Sequence, residues 1–338
     1  MSTEGEDRPR VLYLSHGPEA LYAMIRHFAG PSLEVMTLDA DDDAERCDKL
    51  ARADAVIVAA TPFRADLIAA APHLKFVQHQ GVGYQDTVDM AAFSETGARL
   101  AINPTGTTTG VAEHTLLLTL AVMRRLAFAD AELRQGRWHV NTLRDESREL
   151  AGKTIGYLGM GRIGQAAAER FRAFRTTGLY HDPDIVLPQQ QERALGITAA
   201  PLDTVLAQSD VITIHCPLTA GTRHLVDAAA IARMKRGATI INTARGPIVD
   251  EAALVEALRA GHLAGAGLDV FETEPPPTSS ALMAMRNVVL TPHISAGTRD
   301  AFETKMQAAC ENLRQFFSGA PIENEVPIER GAVAAARA

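Results

Sequence analysis

The stretch TIGYLGMGRIGQAAAERF, residues 154–171, decides the fold of this chain. It opens on TIGYL, which is typical of a buried strand, and continues into a G-x-G-x-x-G pattern made by Gly159, Gly161 and Gly164. The predicted helix that follows, residues 163–174, would aim free backbone N–H groups and its positive dipole end at a pyrophosphate. In this pattern the first glycine permits a tight turn, the second lets phosphate approach, and the third lets helix and strand pack closely. The stretch therefore predicts a dinucleotide-binding βα unit.

The next predicted strand ends on Asp182, within LYHDPD. A carboxylate at this point accepts hydrogen bonds from the adenosine ribose and repels an added 2′-phosphate. Because no arginine or lysine follows it closely, NAD is favoured over NADP. The alternative is an ordinary tight βα turn in which Asp182 only forms a turn before Pro183.

The bulk composition is that of a globular protein. The 338 residues favour two domains, and 46% hydrophobic with 22% charged residues supply material for two cores. The formal charge of −8 would repel nucleic acid and anionic lipid, so neither is expected as a partner.

The three cysteines, Cys47, Cys216 and Cys310, have no CxxC or Cys/His spacing, so neither a disulfide framework nor a metal site is expected. The polar start of the sequence and the short apolar run at 116–123 predict a soluble, cytoplasmic protein.

Two series of strand-like and helix-like runs alternate, one from Arg10 to about Asn103 and one from Thr154 onward. This alternation predicts parallel sheets covered by helices. A long helix is predicted from Thr107–Thr109 to about Ala129, and a polar stretch follows it. A last helix is predicted over Arg299 to Phe317 from the helical spacing of its apolar residues, and residues 331–338 are expected to be disordered.

Three ionisable residues follow predicted strands of the second series. Arg245 comes after TIINT, Glu274 lies beyond LDVF, and His293 follows NVVLT. Because the carboxyl ends of parallel strands share one edge, where α/β folds bind ligands, these groups would lie beside the dinucleotide. Taken singly, each has a simpler explanation: a surface residue at a strand end, a solvated loop residue, and a turn residue after Pro292.

At this point the chain resembles the D-isomer-specific 2-hydroxyacid dehydrogenase family, over about Val11 to Pro327. The resemblance rests on several long motifs in the right order: GVAEH, GMGRIG with Asp182, HCPLTAGTRHLV, INTARGPIVDEAAL, GAGLDVFETEP and LTPHIS. It implies an α/β fold of two doubly wound parallel-sheet domains. A Rossmann NAD-binding domain, residues 106–294, would be inserted into a flavodoxin-like substrate domain, residues 1–105 and 295–330. The resemblance also implies an active site in the cleft and a homodimer formed through the NAD-binding domain.

By matching motif, the resemblance implies that Arg245 binds the substrate carboxylate and polarises the keto oxygen. His293 would be the general acid of keto-acid reduction, and Glu274 would hydrogen-bond His293 and favour its protonated form. Backbone N–H groups near Val82 and Gly83 would also meet the substrate carboxylate, although a flexible strand-to-helix turn is the alternative for that loop.

The cofactor-binding residues that the same motifs imply lie at strand ends and in the loops after them: Gly159, Gly161, Arg162, Ile163, Gly164, Asp182, His215, Cys216, Pro217, Thr222, Thr243, Ala244, Asp269, His293, Ser295 and Ala296. No metal is expected. His79 and Gln80 depart from the commonest family sequence and receive no role. His114 and Glu113 are expected to be structural or at a dimer contact, and Trp138 to be a packing anchor.

The resulting prediction is an NAD-dependent D-2-hydroxyacid dehydrogenase, or 2-keto acid reductase. It would move a hydride between nicotinamide and C2 of a small 2-hydroxy or 2-keto acid of the glyoxylate or hydroxypyruvate type. Formate is disfavoured, because formate dehydrogenases of this superfamily carry glutamine where Glu274 stands.

Two alternatives stay open. The first is a phosphoglycerate- or phosphite-type dehydrogenase of the same family. The single cation of the TPFRAD loop, Arg64, and the lack of a regulatory domain after residue 330 weigh against phosphoglycerate. The second is a non-enzymatic, NAD-sensing corepressor-like protein that keeps the site residues. The acidic composition and the lack of an interaction tail weigh against it.

Overall fold

The structure, a computed structural model, describes residues 8–85 and 87–328. The described chain divides into two compact units: a first unit of residues up to 107 together with those from 299 onward, and a second unit of residues 108–298. The predicted disordered tail, residues 331–338, lies outside the described residues.

The elements are numbered here in chain order. The strands are β1 Arg10–Tyr13, β2 Glu34–Met36, β3 Ala55–Val58, β4 Phe76–His79, β5 Arg99–Ala101, β6 Thr154–Leu158, β7 Thr177–His181, β8 Ile197–Ala199, β9 Val211–Ile214, β10 Ala238–Asn242, β11 Leu263–Leu268 and β12 Val288–Leu290. The α-helices are α1 Glu19–Ala29, α2 Asp43–Leu50, α3 Ala65–Ala69, α4 Met90–Ser94, α5 Thr107–Met123, α6 Leu126–Arg134, α7 Val140–Glu146, α8 Arg162–Arg172, α9 Gln189–Leu195, α10 Leu202–Gln208, α11 Ala228–Arg233, α12 Glu251–Arg259 and α13 Arg299–Ser318.

The first unit is built on a parallel sheet whose described strands run in the order β2-β1-β3-β4-β5. This is the flavodoxin-like order of doubly wound sheets. The predicted last helix is confirmed as α13, which buries Met306, Cys310 and Leu313 against residues of α1 and the sheet. Its Arg314 Nη1 also donates to the carbonyl of Phe28 at the end of α1 at 2.8 Å.

The second unit is built on a parallel sheet in the order β12-β11-β10-β9-β6-β7-β8 over the described strands. The strand order reverses between β6 and β9, as in dinucleotide-binding folds. The α5 helix lies over this sheet, where Gly267 has no side chain and Leu118 approaches its backbone closely. The prediction of two parallel-sheet α/β domains is therefore confirmed.

One detail of the predicted helices was wrong, and one helix was not predicted. The long helix does not reach Ala129: α5 ends at Met123, and Arg125 takes a left-handed conformation (φ 54°) before α6 begins. The polar stretch after it contains α7, which has too few apolar residues to be recognised from periodicity alone. None of the described helices is long and apolar enough to cross a membrane.

The predicted role of Trp138 as a packing anchor was also wrong for the single chain. Its side chain is 76% exposed, and it has exposed apolar neighbours in sequence, Leu133 and Val140. An indole that contacts so little of its own chain contributes little to the core of that chain.

Candidate active site

The glycine turn after β6, residues 159–164, can accept only glycine at two of its three motif positions. Gly159 has φ +99°, and an added Cβ there would lie 2.6 Å from the backbone nitrogen of Cys216. A Cβ on Gly164 would lie 2.4 Å from the carbonyl oxygen of Gly159. Gly161, by contrast, faces open space, with no heavy atom within 4 Å of an added Cβ. The turn is therefore closely packed at Gly159 and Gly164 and open at Gly161, where a phosphate would approach.

The first helical residues after this turn, Arg162 and Ile163, begin α8. Gly161 occupies the N-cap position and has no side chain to accept a hydrogen bond from the first N–H groups of the helix. Open space, uncapped N–H groups and the helix dipole suit an anion such as a pyrophosphate.

Asp182 follows β7 and is held towards the glycine turn. Its Oδ2 accepts a hydrogen bond from Met160 N–H at 2.7 Å, and its Oδ1 accepts from Asp184 N–H at 2.9 Å and Ile185 N–H at 3.0 Å. A carboxylate has about four lone-pair sites, so acceptor capacity remains for ribose hydroxyls. These residues fit the adenosine half of NAD.

The loop after β9 carries His215, Cys216, Pro217 and Thr222. Burial lowers the pKa of His215 to about 4, so its ring is neutral near pH 7. Burial raises the pKa of the Cys216 thiol to about 11, which keeps it protonated and a poor nucleophile. Thr222 Oγ1 donates to the carbonyl of Pro217 at 2.6 Å and so closes the loop.

Arg245 follows β10 in a turn that sequence reasoning explained only in part. Asn242, at the end of the strand, accepts from Ala244 N–H at 3.0 Å and donates to the carbonyl of Arg245 at 2.9 Å. A Cβ on Gly246 would lie 1.9 Å from the backbone of Phe271, so the turn packs directly on the segment after β11. Asn242 and Gly246 were missed as site-forming residues. The signal for Asn242 is a polar residue that closes an apolar strand.

Glu274 and His293 form a hydrogen-bonded pair. His293 Nδ1 lies 2.7 Å from Glu274 Oε2, while Glu274 Oε1 accepts from Phe271 N–H at 3.0 Å. His293 has a left-handed backbone (φ 51°), and its N–H donates to the carbonyl of Asp269 at 2.8 Å. The ring is therefore oriented by contacts on both its side chain and its backbone.

The charges of this pair are coupled. The hydrogen bond to Glu274 raises the pKa of His293, although burial and the positive charge of Arg245 oppose the rise. Burial alone would raise the pKa of Glu274, but its hydrogen bonds from His293 and Phe271 outweigh burial, and its pKa falls below the usual range. The pair favours an imidazolium beside a carboxylate, which suits a proton donor.

Asp269 follows β11 and is fully buried. Its Oδ1 accepts from Thr291 Oγ1 at 2.6 Å and from Ile294 N–H at 2.9 Å, and its Oδ2 accepts from Ser295 N–H at 2.8 Å. These bonds hold the His293 loop, residues 291–296, which also contains Ala296. The cofactor role predicted for Asp269 stays a prediction, and the structure adds that its carboxylate organises this loop.

Thr243 and Ala244 lie between β10 and Arg245, and Thr243 Oγ1 is 2.9 Å from Thr115 Oγ1 of α5. All the predicted cofactor residues thus follow β6, β7, β9, β10, β11 or β12 at one edge of the second sheet. Among residues 8–85 and 87–328, no group of three His, Cys, Asp or Glu side chains could hold a metal ion.

Val82 and Gly83 belong to the first unit, in the loop after β4. Within the described residues, no acceptor is hydrogen-bonded to either backbone N–H. His79 Nε2 contacts Thr87 Oγ1 at 2.8 Å, and Thr87 Oγ1 in turn is 3.3 Å from the carbonyl of Gly83. Gln80 Oε1 accepts from the hydroxyl of Tyr13 at 3.1 Å. His79 and Gln80, which had no role from sequence, therefore have partners that brace this loop.

Most of the second unit matches a known protein family. Residues 116–295 match the family model described as D-isomer specific 2-hydroxyacid dehydrogenase, NAD binding domain. The predicted NAD cofactor is thereby confirmed.

Among curated proteins, the chain is 40% identical over 305 residues to the D-3-phosphoglycerate dehydrogenase of Mycobacterium leprae, which covers 90% of this chain and 57% of that protein. The chain thus spans little more than half the length of these relatives. It is 35% identical over 323 residues to the glyoxylate reductase of Korarchaeum cryptofilum, covering 92% and 94% of the two chains. The crystal structure of a glyoxylate reductase from Paecilomyes thermophila superposes with a TM-score of 0.78 at 30% identity, covering 95% and 99%.

Proposed function

The chain belongs to the D-isomer-specific 2-hydroxyacid dehydrogenase family, and on that premise we propose that it is an NAD-dependent reductase of small 2-keto acids. In reverse it would oxidise the corresponding D-2-hydroxy acids. The observation that carries the proposal is the Glu274–His293 hydrogen bond next to Arg245, at the sheet edge that also holds the glycine turn. A polarising cation and an oriented proton donor are the two protein groups that carbonyl reduction requires.

The proton is donated from Nε2 of His293, because Nδ1 is engaged by Glu274. Glu274 holds the ring and stabilises its charged form. The Arg245 guanidinium binds the substrate carboxylate and polarises the keto oxygen that receives the proton. When bound, NADH supplies the hydride to C2. The N–H groups of Val82 and Gly83 stay part of the proposal only as donors that the family resemblance of their loop implies.

The substrate is an unphosphorylated acid of the glyoxylate or hydroxypyruvate type. Arg64, the cation in the TPFRAD loop, is already paired: its Nη2 lies 2.6 Å from Asp43 Oδ2 and 3.0 Å from Asp66 Oδ2. Two carboxylates on one guanidinium leave it poorly suited to a phosphate. Phosphoglycerate, favoured by the names of several relatives, is the second candidate, and a phosphite-type substrate or a non-enzymatic NAD sensor are further ones.

A homodimer is part of the proposal. Leu126, Leu133, Trp138 and Val140 expose large apolar side chains along α6 and α7 of the second unit. A cluster of this kind on one segment is typical of a protein interface, and a second copy of the chain is the occupant we propose. Size-exclusion chromatography with light scattering on the wild type and on Trp138→Glu tests it: the wild type elutes as a dimer and the variant as a monomer. Cytoplasmic location stays a prediction.

The proposed activity is tested by following NADH oxidation with glyoxylate, hydroxypyruvate, pyruvate, phenylpyruvate and phosphohydroxypyruvate. We expect one of the unphosphorylated acids to have the highest kcat/KM. A preference for phosphohydroxypyruvate would assign the second candidate instead. NADH binding without turnover of any acid, together with capture of a protein partner, would favour a sensor.

A further inference from the structure

Helix α5 touches both loops that carry the proposed reactive residues. A Cβ on Gly110 would lie 3.0 Å from the carbonyl oxygen of Ser295, so the helix and the His293 loop approach closely. Its Thr115 contacts Thr243, two residues before Arg245. Between these contacts, His114 Nε2 lies 2.9 Å from Thr291 Oγ1 at the start of the His293 loop.

The direction of the hydrogen bond between His114 and Thr291 follows from counting hydrogens. The Thr291 hydroxyl has one hydrogen, and it is donated to Asp269 Oδ1 at 2.6 Å. The Thr291 oxygen must therefore accept from His114, which requires a hydrogen on Nε2 of that ring. The same nitrogen lies 3.6 Å from Asp269 Oδ1, so its N–H also favours the buried carboxylate electrostatically.

Asp269, which accepts the Thr291 hydroxyl, also holds His293 and the two residues after it by hydrogen bonds. Its side chain accepts from Ile294 N–H and Ser295 N–H, and its carbonyl accepts from His293 N–H. His293 has a left-handed φ of 51°, a conformation that non-glycine residues rarely adopt without external support. The network supplies that support.

We propose that His114 is a positioning residue for His293, acting through Thr291 and the Asp269 carboxylate. This role rests on the proposed function of His293 as the proton donor. His114 is neither general acid nor base in this scheme: its N–H fixes the Thr291 hydroxyl, which orients Asp269, which holds the loop. The charged groups facing His293 itself are Glu274, Arg245 and Asp269. Losing the His114 donor would loosen the alignment of the ring with Glu274.

The test compares four variants of the full chain. His114→Leu removes the donor, and His114→Gln keeps an N–H donor at a similar reach. Thr291→Val removes the hydroxyl at nearly constant volume. The control is Thr119→Val, because Thr119 is a buried threonine on α5 whose hydroxyl donates to the Thr115 carbonyl of its own helix.

We expect His114→Leu and Thr291→Val to lower kcat for keto-acid reduction about tenfold or more, the effect of a displaced reactive group. His114→Gln should recover most of that loss, and Thr119→Val should behave as wild type. NMR titration of the His293 ring gives a second readout. Its pKa should move down towards the ordinary value in His114→Leu and Thr291→Val only, because the Glu274 hydrogen bond is weakened.

The inference is overturned if folded Thr291→Val matches Thr119→Val in both kcat and the titration of His293. It is also overturned if His114→Gln is as impaired as His114→Leu. Should His114→Leu fail to fold, the nearly isosteric Thr291→Val still decides. If the wild type reduces none of the acids, the proposed function fails, whereas the titration of His293 still tests the positioning role.

Discussion

His293 Nδ1 lies 2.7 Å from Glu274 Oε2, and this contact raises the pKa of the imidazole above its ordinary value. Because the protonated ring donates in reduction, kcat/KM for the keto acid should be maximal below the raised pKa. It should decline as pH rises through that pKa. Oxidation of the hydroxy acid needs the neutral ring and should follow the opposite course. Steady-state pH profiles in both directions check this, and a flat profile without slow product release would contradict it.

Glu274→Gln should shift that profile. The amide has no charge to stabilise the imidazolium, so the pKa of His293 falls and reduction should decline at lower pH than in the wild type.

His293→Asn should lower kcat by about 10²–10⁴-fold, the usual contribution of a general acid, while NADH binding is retained. A loss of NADH binding as large as the loss of kcat would leave His293 the cofactor-binding role that the resemblance also implies, without the role of proton donor.

Arg245→Ala should raise KM and lower kcat for the keto acid, with a combined loss in kcat/KM of about 10²-fold or more. NADH affinity, measured by fluorescence titration, should stay near the wild-type value. Arg245→Lys is the matched control: it keeps the charge but lacks the planar fork of donors, so it should recover only part of the activity. Loss of NADH affinity in Arg245→Ala would make Arg245 a cofactor or structural residue.

Asp182→Asn should relax the choice between the two dinucleotides. The amide oxygen can still accept from Asp184 and Ile185 N–H, while the amide nitrogen takes the place of the oxygen that accepts from Met160 N–H. The negative charge that would face a 2′-phosphate is removed. We expect the NADPH to NADH affinity ratio to rise about tenfold or more. Asp182→Ala should in addition weaken NADH binding, because Met160, Asp184 and Ile185 lose their acceptor. An unchanged affinity ratio would mean that Asp182 does not face the ribose.

Substitutions at two glycines of the turn should affect stability and NADH binding separately. Gly164→Ala would force a Cβ to within 2.4 Å of the Gly159 carbonyl, so it should lower the free energy of unfolding by about 1–3 kcal/mol. Gly161→Ala faces open space and should leave Tm nearly unchanged while weakening NADH binding. Thermal unfolding and NADH titration of both variants check this contrast. Normal NADH affinity in Gly161→Ala would move the phosphate away from that residue.

Much of the architecture could be predicted from local patterns. Runs of β-forming residues alternating with amphipathic stretches predict parallel sheets, and the glycines at 159, 161 and 164 predict the dinucleotide turn. The reason is that these patterns report local requirements: backbone freedom, side-chain period and the burial of a whole strand. The break in the long helix at Arg125 was missed because a single left-handed residue leaves no signal in the apolar pattern.

The sequence by itself thus determined most of the elements, their class and which residue types stand at the strand ends. The tertiary structure alone decided which of them meet. His114 and Thr291 are 177 residues apart in the chain, and no spacing rule relates them. The close packing of Gly246 on Phe271 likewise depends on how two neighbouring strands end. Hydrogen bonds and close packing act over a few ångströms, so partners distant in sequence are set by the folded sheet and not by the chain around each residue.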